Sequence, residues 1–380
     1  MNFFKVERNL AMLLLLGAIL GAGIANSGGF LLLDQIKSTS FGLADFSMTF
    51  EGWVYNFGIP AFFALVGLEL RRELSDGLFQ NRKALLVPAL AALGGVLVPA
   101  VLYLAVVGFD STASSGWPIP TATDVTFALA VLLVFGKKLP AEARTFLLAF
   151  AIIDDVIGIL IITVMYSGSL QITPAISAIV ALLIFYALGM VFIRSSGRSL
   201  RFALGVIMCS LAFEAVYQTL ASGIQPTIAG LLIGLLVPIS VNSKLENLLH
   251  PWIAGLVLPV FAFMATGIVI NMDDVWSQQV FWAVLTRPLG KILGITLGAY
   301  LAYRITKPIP NLPMPMVLRL SVLGGIGFTV SLLICQITFT LDPAAKSAAV
   351  ASTLIASLIS AIAGAVVLLT AHGAKARNGS

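Results

Sequence analysis

Two adjacent aspartates, Asp154 and Asp155, lie in a stretch of the chain, residues 151–162, that is otherwise apolar. A carboxylate at the depth of a lipid bilayer costs from roughly 3 to more than 10 kcal/mol, depending on how far water reaches it. Adjacent residues of a helix point about 100° apart, so both carboxylates avoid lipid only if the helix lines a wet cavity or a polar partner. The pair therefore indicates a site for a cation, a proton or both.

Two other apolar segments contain residues that weaken a helix. In the first, Asp124 follows two prolines and three small or hydroxyl residues within 118–123, which predicts an interrupted helix. The second has three glycines within four residues, a poor composition for a helix interior: Gly324, Gly325 and Gly327. Such glycines alone also fit close helix packing. Interrupted helices in both halves of a chain, however, are typical of transporters whose ion site lies near the bilayer midplane.

Arg287 and Lys291 are basic residues in the core of one apolar segment, a helical turn apart. Interrupted helices expose positive N-terminal ends and negative C-terminal ends, so an aspartate is expected near the first and a cation near the second. Asp124 and one of the two basic residues are candidates for these places. We expect at least one of the two cations to pair with an aspartate, although either could extend to the membrane surface.

Carboxylate, hydroxyl and carbonyl oxygens suit a hard cation such as Na⁺ or Li⁺. A proton neutralises the same carboxylate, so the two ions compete for one site, and such competition couples two opposite fluxes.

Neither a cofactor nor a structural metal ion is expected. Cys209 and Cys335 lie in apolar segments, which argues against disulfides and cysteine-bound metals. Glu214, in the middle of another segment, fits either a second polar site or a structural hydrogen bond to a neighbouring helix.

The composition is that of a polytopic membrane protein, with twelve apolar segments long enough to cross a bilayer. Of 380 residues, 59% are hydrophobic and 10% charged, and the mean hydropathy is +1.02. No polar stretch is long enough for a large soluble domain, so we expect a single membrane domain over 1–380. The predicted spans are 9–25, 51–70, 84–107, 117–136, 141–165, 173–193, 200–220, 223–238, 251–270, 279–303, 316–338 and 345–370.

The basic residues indicate the orientation of these spans. The net charge of +5 comes from residues in short loops, so nucleic-acid binding is not indicated. With the N-terminus in the cytoplasm, eighteen of the 22 Lys and Arg fall on the inside and only Lys37 and Lys346 on the outside. This asymmetry predicts cytoplasmic N- and C-termini. One outside loop, residues 38–50, fits a short external β-hairpin or an irregular loop.

Five motifs in order resemble those of NhaA-type bacterial Na⁺/H⁺ antiporters: GLELRREL (67–74), PTATD (120–124), AIIDD (151–155), HPW (250–252) and GIGFT (325–329). The resemblance covers about residues 10–370. It implies an all-α fold of twelve helices, with inverted repeats of spans 3–5 and 10–12 and two crossed discontinuous helices, spans 4 and 11. It also implies a homodimer in the bacterial inner membrane that exports Na⁺ or Li⁺ in exchange for H⁺ by alternating access.

The resemblance also assigns roles to individual residues. Asp154 and Asp155 would bind cation and proton, with Asp124 and Thr123 at the interrupted helix. Three acidic residues would line a regulatory cytoplasmic side: Glu69, Glu73 and Glu246.

Two departures from the family pattern affect function. Arg287 stands before Pro-Leu-Gly where the family usually has lysine, and arginine, unlike lysine, does not release its proton. If that lysine carries a proton, exchange here is electroneutral, with Arg287 neutralising Asp154, unless Lys291 takes over the role. Gln225 replaces a family histidine and cannot titrate, so pH regulation there is not expected.

Two alternatives to an antiporter remain open from the sequence. An intramembrane aspartyl protease also uses aspartates on different spans, but it leaves the buried cations and the paired interruptions unexplained. A channel or a symporter for an organic anion would require a polar pocket of substrate size.

Overall fold

The computed structural model describes residues 3–43, 46–76, 82–136, 139–306, 309 and 312–377, which are mostly helical. In chain order the helices are α1 (Phe3–Ile24), α2 (Phe30–Ser38), α3 (Phe50–Trp53), α4 (Ile59–Asp76), α5 (Arg82–Val107), α6 (Val125–Phe135), α7 (Ala141–Tyr166), α8 (Ile172–Arg194), α9 (Arg198–Ala221), α10 (Thr227–Leu236), α11 (Ile239–Trp252), α12 (Leu258–Thr266), α13 (Met272–Ser277), α14 (Gln279–Leu285), α15 (Arg287–Ile305), α16 (Met314–Gly324), α17 (Thr329–Thr338) and α18 (Pro343–Arg377). The strands are β1 (Ser40–Leu43) and β2 (Phe46–Thr49).

Ten helical stretches in the described part of the chain are long and apolar enough to cross a membrane. They correspond to ten of the twelve predicted segments. The eighth predicted segment holds the ten-residue α10, and the eleventh holds α16 and α17, of eleven and ten residues. A helix needs about 20 residues to span the hydrocarbon core, so none of these three spans it alone.

Two helical stretches extend beyond the predicted spans. α1 ends at Ile24, next to the predicted end of the first span, and after a kink with non-helical φ and ψ at Ser27 and Gly28 (φ 92°) α2 continues to Ser38. The stretch at the ninth predicted span begins at Ile239 rather than at residue 251, and a π-helical turn, Ile253–Val257, joins α11 to α12. The π-helical turn before α12 bends the helix without ending it.

The chain forms two compact units. Unit 1 comprises 1–12, 81–158 and 268–380. In unit 1, α5 and α15 make backbone contact through glycines: a Cβ added at Gly94 would lie 2.1 Å from the carbonyl oxygen of Gly294. Small residues permit such close approach between membrane helices. This contact fixes the position of the first two turns of α15, which carry Arg287 and Lys291.

Unit 2 comprises 13–80 and 159–267. Here α4 and α10 make a similar glycine contact, since a Cβ added at Gly67 would lie 2.3 Å from the carbonyl oxygen of Leu231. The strands of unit 2 pair antiparallel from Ser40↔Thr49 to Leu43↔Phe46. The hairpin predicted within 38–50 is therefore present, and residues 44 and 45 at its tip lie outside the described residues.

Candidate functional site

The two predicted interruptions are present in unit 1, and they contact each other. The first lies at 122–124, between a 3₁₀ turn (Ile119–Thr121) and α6, and the second at 325–328, between α16 and α17. The backbone amide of Asp124 donates to the carbonyl oxygen of Ile326 at 2.6 Å, and the hydroxyl of Thr123 donates to the carbonyl oxygen of Gly324 at 2.8 Å. Each interruption therefore satisfies polar groups that the other exposes.

Gly327 is necessary for this close approach. A Cβ at this position would lie 2.4 Å from the carbonyl oxygen of Ala122 and 2.7 Å from an Nη atom of Arg287. No side chain larger than hydrogen fits without displacing one segment. The glycine-rich run thus lets the second interruption contact the first.

One carboxylate caps two helices at this contact. Oδ1 of Asp124 accepts from the amide of Phe127 at 3.1 Å, in the first turn of α6. Oδ2 accepts from the amide of Thr329 at 3.1 Å and from its hydroxyl at 2.9 Å, at the start of α17. Asp124 is 4% exposed, and the positive N-terminal ends of both helices stabilise its charge.

Asp154 and Lys291 form a fully buried ion pair. Nζ of Lys291 lies 3.0 Å from Oδ1 and 2.9 Å from Oδ2 of Asp154, and both side chains are 0% exposed. Thr123 lies next to Asp154, which connects the ion pair to the first interruption. Asp155, the next residue of α7, is buried as well. The structure thus brings together four sequence-predicted site residues: Thr123, Asp154, Asp155 and Lys291.

Arg287 has a different environment. Its guanidinium donates to the hydroxyl of Ser331 at 3.1 Å, to the carbonyl oxygen of Thr353 at 2.7 Å and to the hydroxyl of Ser357 at 2.7 Å. Among the described residues it forms no ion pair with a carboxylate. The predicted pairing of Arg287 with Asp154 is therefore wrong, because the guanidinium extends towards α17 and α18 while Lys291 faces α7.

Sequence reasoning missed the hydroxyl groups that hold Arg287. Ser357 donates to the carbonyl oxygen of Gly327 at 2.6 Å, and Ser331 donates to that of Ile119 at 2.8 Å. Both hydroxyls therefore connect the guanidinium to backbone near the interruptions. A signal existed, since Thr353, Ser357 and Ser360 follow one face of α18 at helical spacing.

The three acidic residues with a predicted regulatory role surround one cation in unit 2. Arg72 contacts Glu246 in a hydrogen-bonded ion pair and lies 3.5 Å from Glu73 and 3.9 Å from Glu69. Glu246 comes from α11 and the others from α4. The cluster therefore joins two helices that are distant in the sequence.

Two further predicted residues lie elsewhere in unit 2. Glu214 is exposed, and its carboxylate accepts a hydrogen bond from the side chain of Gln218 at 2.7 Å, one turn along α9. This bond stays within α9, whereas one of the two interpretations required a hydrogen bond to a neighbouring helix. Gln225 donates to the carbonyl oxygen of Tyr166 at 2.9 Å. Its side chain holds the loop before α10 against the end of α7.

The long apolar helices define a multi-pass helical membrane protein. Its family follows from comparison with known proteins. The model of the Na⁺/H⁺ antiporter 1 family matches residues 1–368, and the chain belongs to that family.

Curated relatives agree over nearly their whole length. An antiporter from Clavibacter michiganensis subsp. michiganensis, Na(+)/H(+) antiporter NhaA 2, is 36% identical over 375 residues, covering 97% of this chain and 91% of the relative. Na(+)/H(+) antiporter NhaA of Proteus mirabilis is 34% identical over 353 residues, covering 89% and 88%. Proteins so named are transporters rather than enzymes.

A solved structure shares the fold. The sodium proton antiporter MjNhaP1 from Methanocaldococcus jannaschii superposes with a TM-score of 0.62, covering 97% of this chain and 98% of that chain. At 15% sequence identity, the similarity concerns the fold alone.

Proposed function

We propose that this chain is a sodium/proton antiporter in which Na⁺ and H⁺ compete for the carboxylates of Asp154 and Asp155. The family and the curated relatives support sodium/proton exchange. The observation that carries the choice of site is the buried ion pair between Asp154 and Lys291, beside Asp155. A buried carboxylate requires a neutralising partner, and Lys291, Na⁺ or a proton can each be that partner. When one of these partners binds the carboxylate, it therefore displaces another.

We further propose that Lys291 takes over the proton-carrying role of the lysine that the family usually has where this chain has Arg287. Lysine can release a proton when its carboxylate is taken, whereas arginine does not. Electroneutral exchange was expected because arginine, which stands in place of the family lysine, does not release its proton. Because Lys291 lies against Asp154, we favour electrogenic exchange, with Arg287 as a permanent cation near the interruptions.

The contacts of the aspartates favour antiport over proteolysis. A catalytic dyad needs aspartates that can activate a water molecule. Asp124 instead caps two helices, and both oxygens of Asp154 contact Lys291. Neither carboxylate is placed for that chemistry.

Several finer features belong to the same proposal. They are a single transporter domain of twelve spans with inverted repeats, crossed helices in spans 4 and 11, alternating access, transport of Li⁺ as well as Na⁺, a homodimer, and location in a bacterial inner membrane with both termini in the cytoplasm. The contact between the interruptions supports the crossed arrangement. The glutamates around Arg72 are proposed regulatory residues on the cytoplasmic side.

Proton flux driven by Na⁺ or Li⁺ in proteoliposomes tests the proposal. The parent protein should move protons when either cation is added. Asp155→Asn should abolish the flux, and Asp154→Asn should lower it at least about tenfold, because Lys291 is then buried without its carboxylate. Asp110→Asn, at an exposed position, is the matched control and should retain the parent flux. The proposal would be contradicted if the proton flux of the parent did not depend on added Na⁺ or Li⁺, or if Asp155→Asn kept the full flux.

A further inference from the structure

Arg287 and Lys291 are two buried cations on one face of α15. They stand four residues apart, about one helical turn, and both are 0% exposed. Like charges repel each other, and they do so more strongly inside a protein than in water. The charge of Arg287 therefore opposes the charge of the Lys291 ammonium.

No neighbouring carboxylate cancels the charge of Arg287 in the described part of the chain. Its guanidinium donates to oxygens that carry no net charge, those of Ser331, Thr353 and Ser357. Arginine also keeps its proton at any pH that a protein meets. The guanidinium is therefore a fixed positive charge one turn from Lys291.

Lys291 also faces two negative charges on another helix. Asp154 and Asp155 of α7 attract its ammonium, and Asp154 contacts it directly. Other helices packed against α15 carry described titratable side chains elsewhere along their length: Tyr103 of α5, Arg319 of α16 and Lys346 of α18. Na⁺ on Asp154 cancels the larger attraction, that of Asp154, and leaves the repulsion from Arg287 in place.

We propose that Arg287 is a positioning residue whose fixed charge favours loss of a proton from Lys291 when Na⁺ occupies Asp154. In this step Na⁺ binds the carboxylate, the N–H bond of the ammonium breaks, and the proton leaves to water while the electron pair stays on Nζ. This inference rests on the proposed function, in which Lys291 carries the proton, and it names the group that makes the release favourable.

The repulsion should set the pH range of the exchange. While Lys291 keeps its proton it competes with Na⁺ for Asp154, so the exchange rate rises with pH as proton release becomes favourable. A positive charge at position 287 moves that rise to lower pH. Removing the charge should move the pH of half-maximal flux upwards by roughly one to two units, the effect of two charges about 6–12 Å apart in a protein interior.

The pH profile of Na⁺-driven proton flux in proteoliposomes tests the inference. Arg287→Gln removes the charge, and Ser357→Asp cancels it by placing a carboxylate where a hydroxyl now lies 2.7 Å from the guanidinium. Both variants should move the profile to higher pH. Ser357→Asn has nearly the shape of Ser357→Asp without its charge, and as the matched control it should keep the parent profile, whatever its maximal rate.

A double variant shows whether the charge acts through Lys291. In a Lys291→Gln background the proton in question is absent, so Arg287→Gln should shift the profile less than half as far as it does alone. A full shift in this background would show that Arg287 acts on the aspartates instead.

Each outcome decides between the two proposals. The inference would be overturned if Arg287→Gln and Ser357→Asp kept the parent profile, if Ser357→Asn shifted it equally, or if the full shift persisted without Lys291. The proposed function would survive any of these results if the parent exchanges Na⁺ for H⁺ and Asp155→Asn does not. A parent protein without exchange would overturn both. Should Arg287→Gln fail to fold, the comparison of Ser357→Asp with Ser357→Asn still decides.

Discussion

At the scale of single residues, two cations one turn apart on α15 have different partners. Lys291 contacts a carboxylate, whereas Arg287 contacts two hydroxyls and a carbonyl oxygen. Another cation can replace Lys291 in the ion pair, because the single carboxylate of Asp154 holds it there. The guanidinium is shared among three groups on α17 and α18, and is suited to hold them in place.

The two cations should therefore differ in mutational effect. Lys291→Gln leaves Asp154 buried without a cation, and we expect the free energy of unfolding to fall by about 3–5 kcal/mol. Arg287→Lys keeps the charge and loses hydrogen bonds, at about 1–3 kcal/mol. Thermal unfolding in detergent measures this difference.

The same two variants should also differ in transport. In proteoliposomes with a clamped membrane potential, the exchange rate of Arg287→Lys should still depend on the potential, and that of Lys291→Gln should not. The reverse pattern would place the exchanged cation at Arg287.

At the scale of elements, the two interrupted segments share one capping carboxylate. α6 begins directly after Asp124, but α17 begins more than two hundred residues later and uses the same side chain. The N-terminal ends of both helices thus depend on a residue that belongs to one of them. Any motion of one interruption must be accommodated by the other.

Removing this shared cap should affect both helices at once. Loss of a side-chain cap costs about 0.5–2 kcal/mol per helix, so Asp124→Ala is expected to lower the free energy of unfolding by about 1–4 kcal/mol. Asp124→Asn should lie between Ala and the parent, because its amide nitrogen cannot accept. Asn271→Ala removes an exposed cap from the short helix α13 and is the single-cap control. Equal shifts in unfolding temperature for Asp124→Ala and Asn271→Ala would refute the double cap.

At the scale of the whole molecule, the orientation of the protein in the membrane depends on charged residues in loops, outside the cores of the two units. The excess of Lys and Arg in one set of loops predicts that the loop between α8 and α9 is cytoplasmic and that the one after α5 is external. Burial inside either unit does not determine this orientation. The membrane decides it through the cost of moving basic residues across.

Labelling with a membrane-impermeant thiol reagent checks this orientation. With the exposed Cys209 replaced by serine, Ser115→Cys should react in intact cells. Ser196→Cys, equally exposed in the structure, should react only after the membrane is permeabilised. Reaction of Ser196→Cys in intact cells, with protection of Ser115→Cys, would show the opposite orientation.

The sequence by itself determined the features that depend on local composition. Apolar length located the helices, prolines and glycines located both interruptions, and the isolated ionisable residues located the site, because each property resides in a short stretch of chain. The helical stretch before residue 251 was not predicted, because polar residues of α11 such as Asn242, Lys244 and Glu246 interrupt the apolar pattern.

Only the tertiary structure decided which groups meet. Arg287 and Lys291 lie one turn apart on the same face of α15, and their different heights along the helix axis decide which of them meets Asp154. The glycine contact with α5 holds α15 at a height that brings Lys291 to Asp154 and leaves Arg287 to the hydroxyls of α17 and α18. Partners at this range depend on how whole helices pack, and no local pattern carries that information.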